Sequence, residues 1–358
     1  MKIRSFIFGA LSMLALAAGF TSCSDDDNDD ISKPNVELAK TRAFVLDEGS
    51  KNHNNAGITY FDWTKDATFS SDLFLAQNKH QLGDVGQDII ADGKGNIYVI
   101  VSVSRYITKL DENCVEKATL QFPEDLGDPR YGVLDGENLY VSCYGGYIAR
   151  INTNTMKVTG KVAIGPNPEH IIKENGRLYC TVSGWGSDHR VAKVELPAFE
   201  TAEYDDVMYN PDHIIAVNGH IYVQGYGPDY SYPWGELKSD GTFSNLGQAS
   251  AWAAYENKLY TAYSETDWST YITTTTFYAY DVENGTFSES SPLKNAPEEL
   301  ASASVYSMNI NPYTGDLYIT TSDFTNNGQI YHFDKDGTFV KKFASTGINS
   351  RKIIFLNK

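Results

Sequence analysis

From residue 41 onward, short runs of apolar residues alternate with polar turns, and the same run keeps returning. "PEHIIKENGRLYC" (168 to 180) and "PDHIIAVNGHIYV" (211 to 223) are nearly one phrase written twice, 43 residues apart. Each reads as an apolar strand, a turn carrying Gly and Asn, and a second strand built on an aliphatic residue followed by Tyr. The same pair recurs at Tyr98, Tyr140, Tyr179, Tyr222, Tyr260 and Tyr318, with a divergent seventh copy at Phe44 in "RAFVLDEG". A third strand ending near Asp or Asn follows several copies, as in "YITKLD", "YIARIN", "FYAYD" and "IYHFD". Turns in "SDGTF" (239 to 243), "ENGTF" (283 to 287) and "KDGTF" (335 to 339) then lead to a fourth strand. Asp-Gly and Asn-Gly there supply the positive backbone angles of a type I′ turn.

A four-stranded unit repeated seven times predicts an all-β, seven-bladed β-propeller, whose radial packing leaves only short protected edges. The ring needs a clasp. The first strand, "AFVLDEG", has no apolar strand before it, and the C-terminal "SRKIIFLN" (350 to 357) has none after it. The C-terminal strand is therefore expected as the innermost strand of the first blade, beside Ala43 to Leu46, in one domain spanning 41 to 358. No long helical pattern follows the leader.

That leader forms a separate segment. Lys2 and Arg4 precede an apolar run from Phe6 to Phe20, then small residues and Cys23, which reads as a secretory signal over 1 to 22. "FTSC" resembles a bacterial lipobox with Phe20 where Leu is usual, so Cys23 is the expected lipidation site. "SDDDNDD" just after it resembles an acidic export signal of outer-surface lipoproteins. Residues 23 to 40 are then a lipidated, acidic, flexible stalk, and the domain is tethered to the outer membrane facing the cell exterior. The formal charge of −17 becomes −19 once Lys2 and Arg4 leave with the leader, a surface that repels nucleic acid. Cys114, Cys143 and Cys180 are an odd set, read as free thiols rather than a disulfide framework.

Catalytic motifs are missing: there is no G-x-S-x-G, H-E-x-x-H, C-x-x-C or phosphate-binding glycine loop. No metal, cofactor or catalytic residue is expected. His170 and His213 hold equivalent places in adjacent repeats, each after an acid, Glu169 and Asp212. Aligning the other repeats adds Gln87 and Asp88, Arg130 and Tyr131, Ser250 and Ala251, Ser307 and Met308, and Arg351 and Lys352. A ring mixing cations and carboxylates predicts mutual charge pairing around the tunnel mouth. The loops that open on that same face are rich in aromatics: Tyr106, Tyr144, Tyr147, Trp185, Tyr226, Tyr230, Tyr232, Trp234, Tyr263, Trp268, Tyr271 and Phe324. Loops carry the function of such scaffolds, and aromatics beside Gly leave room for a ligand to lie flat. The expected binding residues are Tyr106, Arg130, Tyr144, Tyr147, Glu169, His170, Trp185, Asp212, His213, Tyr226, Tyr230, Trp234, Trp268 and Arg351.

The succession "FVLDEG", "GITYFD", "LGDVGQDI" and "PEHIIKENGRLY" resembles the YncE-like seven-bladed propeller lipoproteins, and in layout the BtuG-type branch. That resemblance implies a surface lipoprotein that captures a small molecule, a corrinoid such as cobalamin first, and passes it to a TonB-dependent outer-membrane transporter. Three readings stay open: this binding module, with a glycan or peptide as the alternative ligand; a propeller hydrolase or lyase; and a scaffold that docks a partner protein.

Overall fold

The computed structural model describes residues 35–358. The expected leader (1 to 22), Cys23 and the stalk up to residue 34 lie outside the described residues. Seven antiparallel four-stranded sheets form the blades of a β-propeller. Numbered from the blade that holds both chain ends, their innermost strands are Ser350–Asn357, Gly86–Ala91, Pro129–Asp135, Pro168–Glu174, Pro211–Val217, Ala251–Tyr255 and Val305–Ile310.

The clasp forms as the orphan ends require. Thr41–Asp47 takes Gly57–Asp62 on one side and Ser350–Asn357 on the other, with Phe44 opposite Ile354 and Val45 opposite Ile353. Pairing the two ends in one sheet removes the exposed edge that a linear stack of blades would leave. A second tie crosses the same joint: His332 of blade 7 pairs through Nδ1 with Asp66 of blade 1 at 2.9 Å and through Nε2 with Asp316 at 3.2 Å.

Burial explains the repeated phrase. Second strands such as Asn96–Val101 and Asn138–Cys143 are covered on both faces by neighbouring blades, so they read as apolar runs. Outer strands such as Lys157–Ala163 face solvent on one side, so they alternate. The tyrosines of the aliphatic-Tyr pairs fill the interblade layers, with Tyr98, Tyr222 and Tyr318 fully buried. Cys114, Cys143 and Cys180 are free and buried.

Two features depart from the regular unit. The fourth strands of blades 1 and 6 are only two residues long, Ala67–Thr68 and Thr286–Phe287. In blade 1 the shortfall is made good by a helix, Leu73–Asn78, capped by Asp72, whose Oδ1 accepts from the backbone N–H of Phe74 at 2.9 Å. Leu73 and Phe74 bury themselves against Ile58 and Tyr60. The end of the expected stalk is also held. Val36 exchanges two 2.9 Å hydrogen bonds with the amide of Gln77, and Ala39 N–H donates to the Tyr60 hydroxyl at 2.9 Å. Residues 35 to 40 therefore belong to the domain rather than to a flexible stalk.

Candidate functional site: the channel mouth and its aromatic rim

Each inner strand enters the ring from one face, and in six blades the ladder slips there. Register shifts fall at Leu46/Asp47, Gly86/Asp88, Pro129/Gly132, Pro168/Ile171, Pro211/His213 and Val305/Ser307. A bulge leaves residues unpaired and re-aims their side chains. The residues so released are Arg351, Gln87, Arg130 with Tyr131, Glu169 with His170, Asp212, and Tyr306. Blade 6 pairs without a break and puts Ser250 and Ala251 at the equivalent positions. In blade 7 the bulge shifts the sequence alignment by one residue: Tyr306 and Ser307, rather than Ser307 and Met308, take the paired positions, and Met308 is core.

Of these, Gln87, Tyr131, His170, Asp212, Tyr306 and Arg351 line a cavity of about 600 Å³ in the middle of the ring. Each carboxylate around it has a basic side chain for a partner. Glu169 receives Arg130 at 2.9 Å, and Asp88 receives Lys352 at 2.6 Å. Glu48 accepts from both Arg351 and the Tyr306 hydroxyl, while Asp212 Oδ2 stands 2.8 Å from His213 Nδ1. Arg351 also donates to the Tyr131 hydroxyl, whose oxygen lies 3.3 Å from His213 Nε2. A chain of polar contacts thus runs from Arg351 through Tyr131 and His213 to Asp212.

Burial would raise Asp212, but His213, Arg351 and Arg130 hold its carboxyl at about 2. Glu169 sits above the usual carboxylate range because burial outweighs Arg130. His170 is held neutral: burial, then His213 and Lys352, push it well below the ordinary imidazole value. Its ring packs edge-on against Tyr131 at 4.6 Å and stacks on His213 at 5.5 Å. Two polar atoms of this wall, Gln87 Nε2 and His170 Nδ1, have no hydrogen-bond partner among the described residues. No group of three or more His, Cys, Asp or Glu side chains is arranged to hold a metal ion among the described residues.

Above the mouth lies the aromatic rim. Tyr144 links the two levels: its hydroxyl donates to Glu169 at 2.5 Å, Arg130 lies over its ring at 4.5 Å, and Trp185 meets it edge-on at 5.4 Å. In blade 5, Tyr226 touches Tyr230 and Tyr232, and Tyr230 reaches Trp268 of blade 6 at 5.7 Å. Trp185 is 70% exposed, Trp268 61% and Tyr271 80%. Trp185, Tyr230, Tyr271 and Phe324 all hold a positive φ, between 50° and 64°, at the tips of their loops. Bulky side chains rarely adopt that conformation, which Gly or Asn takes at little cost. The turns themselves do not need aromatics.

Three of the expected binding residues lie elsewhere. Trp234 is 1% exposed; it sits in the strand Pro233–Leu237, boxed in by Tyr222, Trp252, Tyr280 and Phe287. Tyr106 opens a strand and turns its hydroxyl inward to the Leu82 carbonyl. Tyr147 opens the equivalent strand of blade 3 under Lys161. Arg130, Tyr144, Glu169, His170, Asp212, His213 and Arg351 come together at the mouth, and Trp185, Tyr226, Tyr230 and Trp268 on the rim. Glu48, Tyr131 and Tyr306 join them without having been expected as binding residues. The position Tyr131 shares with His213 was a usable signal, whereas Glu48 follows a strand end with no pattern to mark it.

No protein-family model matches the chain, and no curated protein does. Solved structures do. A quinonprotein alcohol dehydrogenase-like protein from Bacteroides thetaiotaomicron VPI-5482 superposes with a TM-score of 0.62 at 16% identity, over 88% of this chain and 78% of that one. Hydrazine synthase of Kuenenia stuttgartiensis gives 0.60 at 11% identity, over 78% of this chain and 99% of that one. A functionally unknown protein from Desulfotomaculum acetoxidans DSM 771 gives 0.56 at 14%, over 88% and 99%. What this chain shares with them is the propeller fold. Identities this low carry no chemistry across.

Proposed function

We propose that this chain is a binding protein, not a catalyst, which captures a small, uncharged, partly flat ligand across the rim formed by Trp185, Tyr230 and Trp268. One observation carries the reading: exposed aromatics occupy left-handed turn tips of neighbouring blades, where the fold has no use for them. The paired charges beneath favour a neutral ligand, because each cation at the mouth already has its carboxylate. A corrinoid is the first candidate. Its macrocycle would lie on the rim and its amide arms would reach into the channel mouth. A neutral glycan, stacking a sugar face on tryptophan, is the alternative. In the wider reading the protein is an outer-membrane lipoprotein anchored through Cys23 that delivers its ligand to a TonB-dependent transporter.

Covering one ring contributes about 1.5 to 3 kcal/mol, so removing it weakens binding about ten-fold or more. Calorimetry with cyanocobalamin, cobinamide and a panel of neutral glycans tests this on the wild type and on Trp185→Ala and Trp268→Ala. Binding of one ligand class, weakened by both substitutions at unchanged melting temperature, is the expected result. No corrinoid binding removes the first candidate, and binding indifferent to both substitutions moves the site off this face.

A further inference from the structure

Among the described residues one arginine is fully buried. Arg42, in the N-terminal strand of the clasp opposite Leu356, is 3% exposed. Its hydrogen bonds all go to neutral oxygens: Nε donates to the Ala39 carbonyl at 2.7 Å, and Nη1 to the Glu112 carbonyl at 2.7 Å and to Asn113 Oδ1 at 3.0 Å. No carboxylate pairs with it among the described residues. The other inward arginines, Arg130 and Arg351, each meet one, Glu169 and Glu48. A buried cation is costly unless an anion accompanies it. Of the five N–H donors of a guanidinium, the bonds of Arg42 use three and leave the two on Nη2. Nη2 has no partner among the described residues, and it is not sealed from solvent either.

Arg42 forms part of the wall of a small cavity, about 90 Å³, where blades 7, 1 and 2 meet. Gly93 and Gly95 line it from the turn between the first two strands of blade 2, Tyr313 from the equivalent turn of blade 7, and Leu356, Asn357 and Lys358 from the end of the C-terminal strand. Those turns lie at the opposite ends of the strands from the loops that carry the aromatic rim. Gly93 has nothing within 4 Å of the place a Cβ would take, so that part of the wall stands open. Tyr313 is fixed by stacking on Trp63 at 5.9 Å, and Trp63 Nε1 in turn donates to the Leu356 carbonyl at 3.1 Å.

The acids of the neighbouring turns are already engaged. Glu112 pairs with Lys358, Asp111 with Lys117 at 2.9 Å, and Asp92 accepts from the backbone N–H groups of Lys94 and Asn96 at 2.7 and 3.0 Å. Lys358 cancels Glu112, so the charge of Arg42 is left over, in a chain whose net charge is −17. We infer that this cavity is an anion site, which takes a small oxyanion, a phosphate or a short carboxylate, on the Nη2 edge of Arg42. A planar fork of N–H groups suits either, since both present paired oxygens. The occupant touches the N-terminal strand, the C-terminal strand and blade 2 together, so it braces the closed ring. The cavity is too small for the ligand proposed for the rim, and neither site needs the other.

The test is nuclear magnetic resonance of the isotope-labelled chain, titrated with sodium phosphate or with sodium acetate while sodium chloride keeps the ionic strength constant. The expected result is a saturating shift of the backbone amides of Gly93, Gly95, Asn96 and Asn357, with those of Trp185 and Trp268 unmoved. The two salts separate a tetrahedral ligand from a planar one. Arg42→Met should weaken binding by about ten-fold or more, because charge-assisted hydrogen bonds are lost. Lys358→Gln, a change at an exposed side chain, should weaken it by a smaller factor, because Glu112 is then no longer cancelled. The melting temperature should rise with the bound salt in the wild type and by less in Arg42→Met. The wild-type shifts decide the matter even if Arg42→Met does not fold. No saturating shift at these residues with either salt overturns the proposal, and so does saturation that both substitutions leave unchanged.

Discussion

Asp47 is a buried carboxyl with hydroxyls for company and no cation. It accepts from Thr59 Oγ1 at 2.6 Å and from Ser350 Oγ at 2.7 Å. Burial, with Asp72 adding a little, pushes it up to about 7 despite those bonds. An unfolded Asp titrates near 3.9, so folding takes up a proton across the interval between the two values. Stability therefore falls as pH rises from about 4 to about 7, and above that the cost of the buried charge is complete, on the order of a few kcal/mol. Asp47→Asn, which keeps the shape and an acceptor oxygen, should raise the melting temperature at pH 8 and change it little at pH 4. Melting curves across that range check it, and an increment that does not grow with pH would disprove the assignment. At this scale the sequence was read with mixed success. Trp185 and Trp234 both stand in Gly-rich stretches that look like loops. "GYGPDYSYPWG" (225 to 235) hides the start of a strand at Pro233, and alternation across so few residues cannot say which way Trp234 turns. Tyr306 was masked by the bulge one residue away, since a ladder slip leaves no mark in a period-2 pattern.

Among the elements, strands were the legible part because each blade repeats the same burial. Apolar second strands, alternating outer strands and Asp-Gly turns follow from layers packed face to face, and the orphan ends implied the clasp. The helix Leu73–Asn78 escaped notice because six residues give fewer than two turns of periodicity. Its job, covering the third strand of blade 1, is visible only once the shortened outer strand is known. The clasp itself makes a prediction. Removing residues 348 to 358 strips the inner strand of blade 1 together with Arg351 and Lys352, leaving Thr41–Asp47 as an unguarded edge. The truncated domain should aggregate or melt far below the full chain, by size-exclusion chromatography and calorimetry. A monomer with an unchanged melting curve would mean that the strand pairing contributes nothing to closure.

For the whole molecule, the sequence raises a question of placement that lies beyond residues 35–358. A leader, a small-residue site at Cys23 and an acidic tail follow one another. On that reading the wild type should incorporate labelled fatty acid and be cut by protease added to intact cells, and Cys23→Ala should be released or mislocalised. Wild-type protein recovered from the soluble periplasmic fraction would refute it. The clasp has one more consequence, for the life history of the chain. Residues 41–47 are among the first of the domain to be synthesised, and their inner partner, 350–357, is the last. Contacts this distant in sequence form slowly, and a nascent or interrupted chain can hold six blades yet have no closed ring. Fragments keep sticky interiors open to proteases and chaperones, while the finished molecule hides them. The fold thereby ties its protection to one late strand, and only a chain that includes residues 350–357 acquires the resistance of a sealed ring.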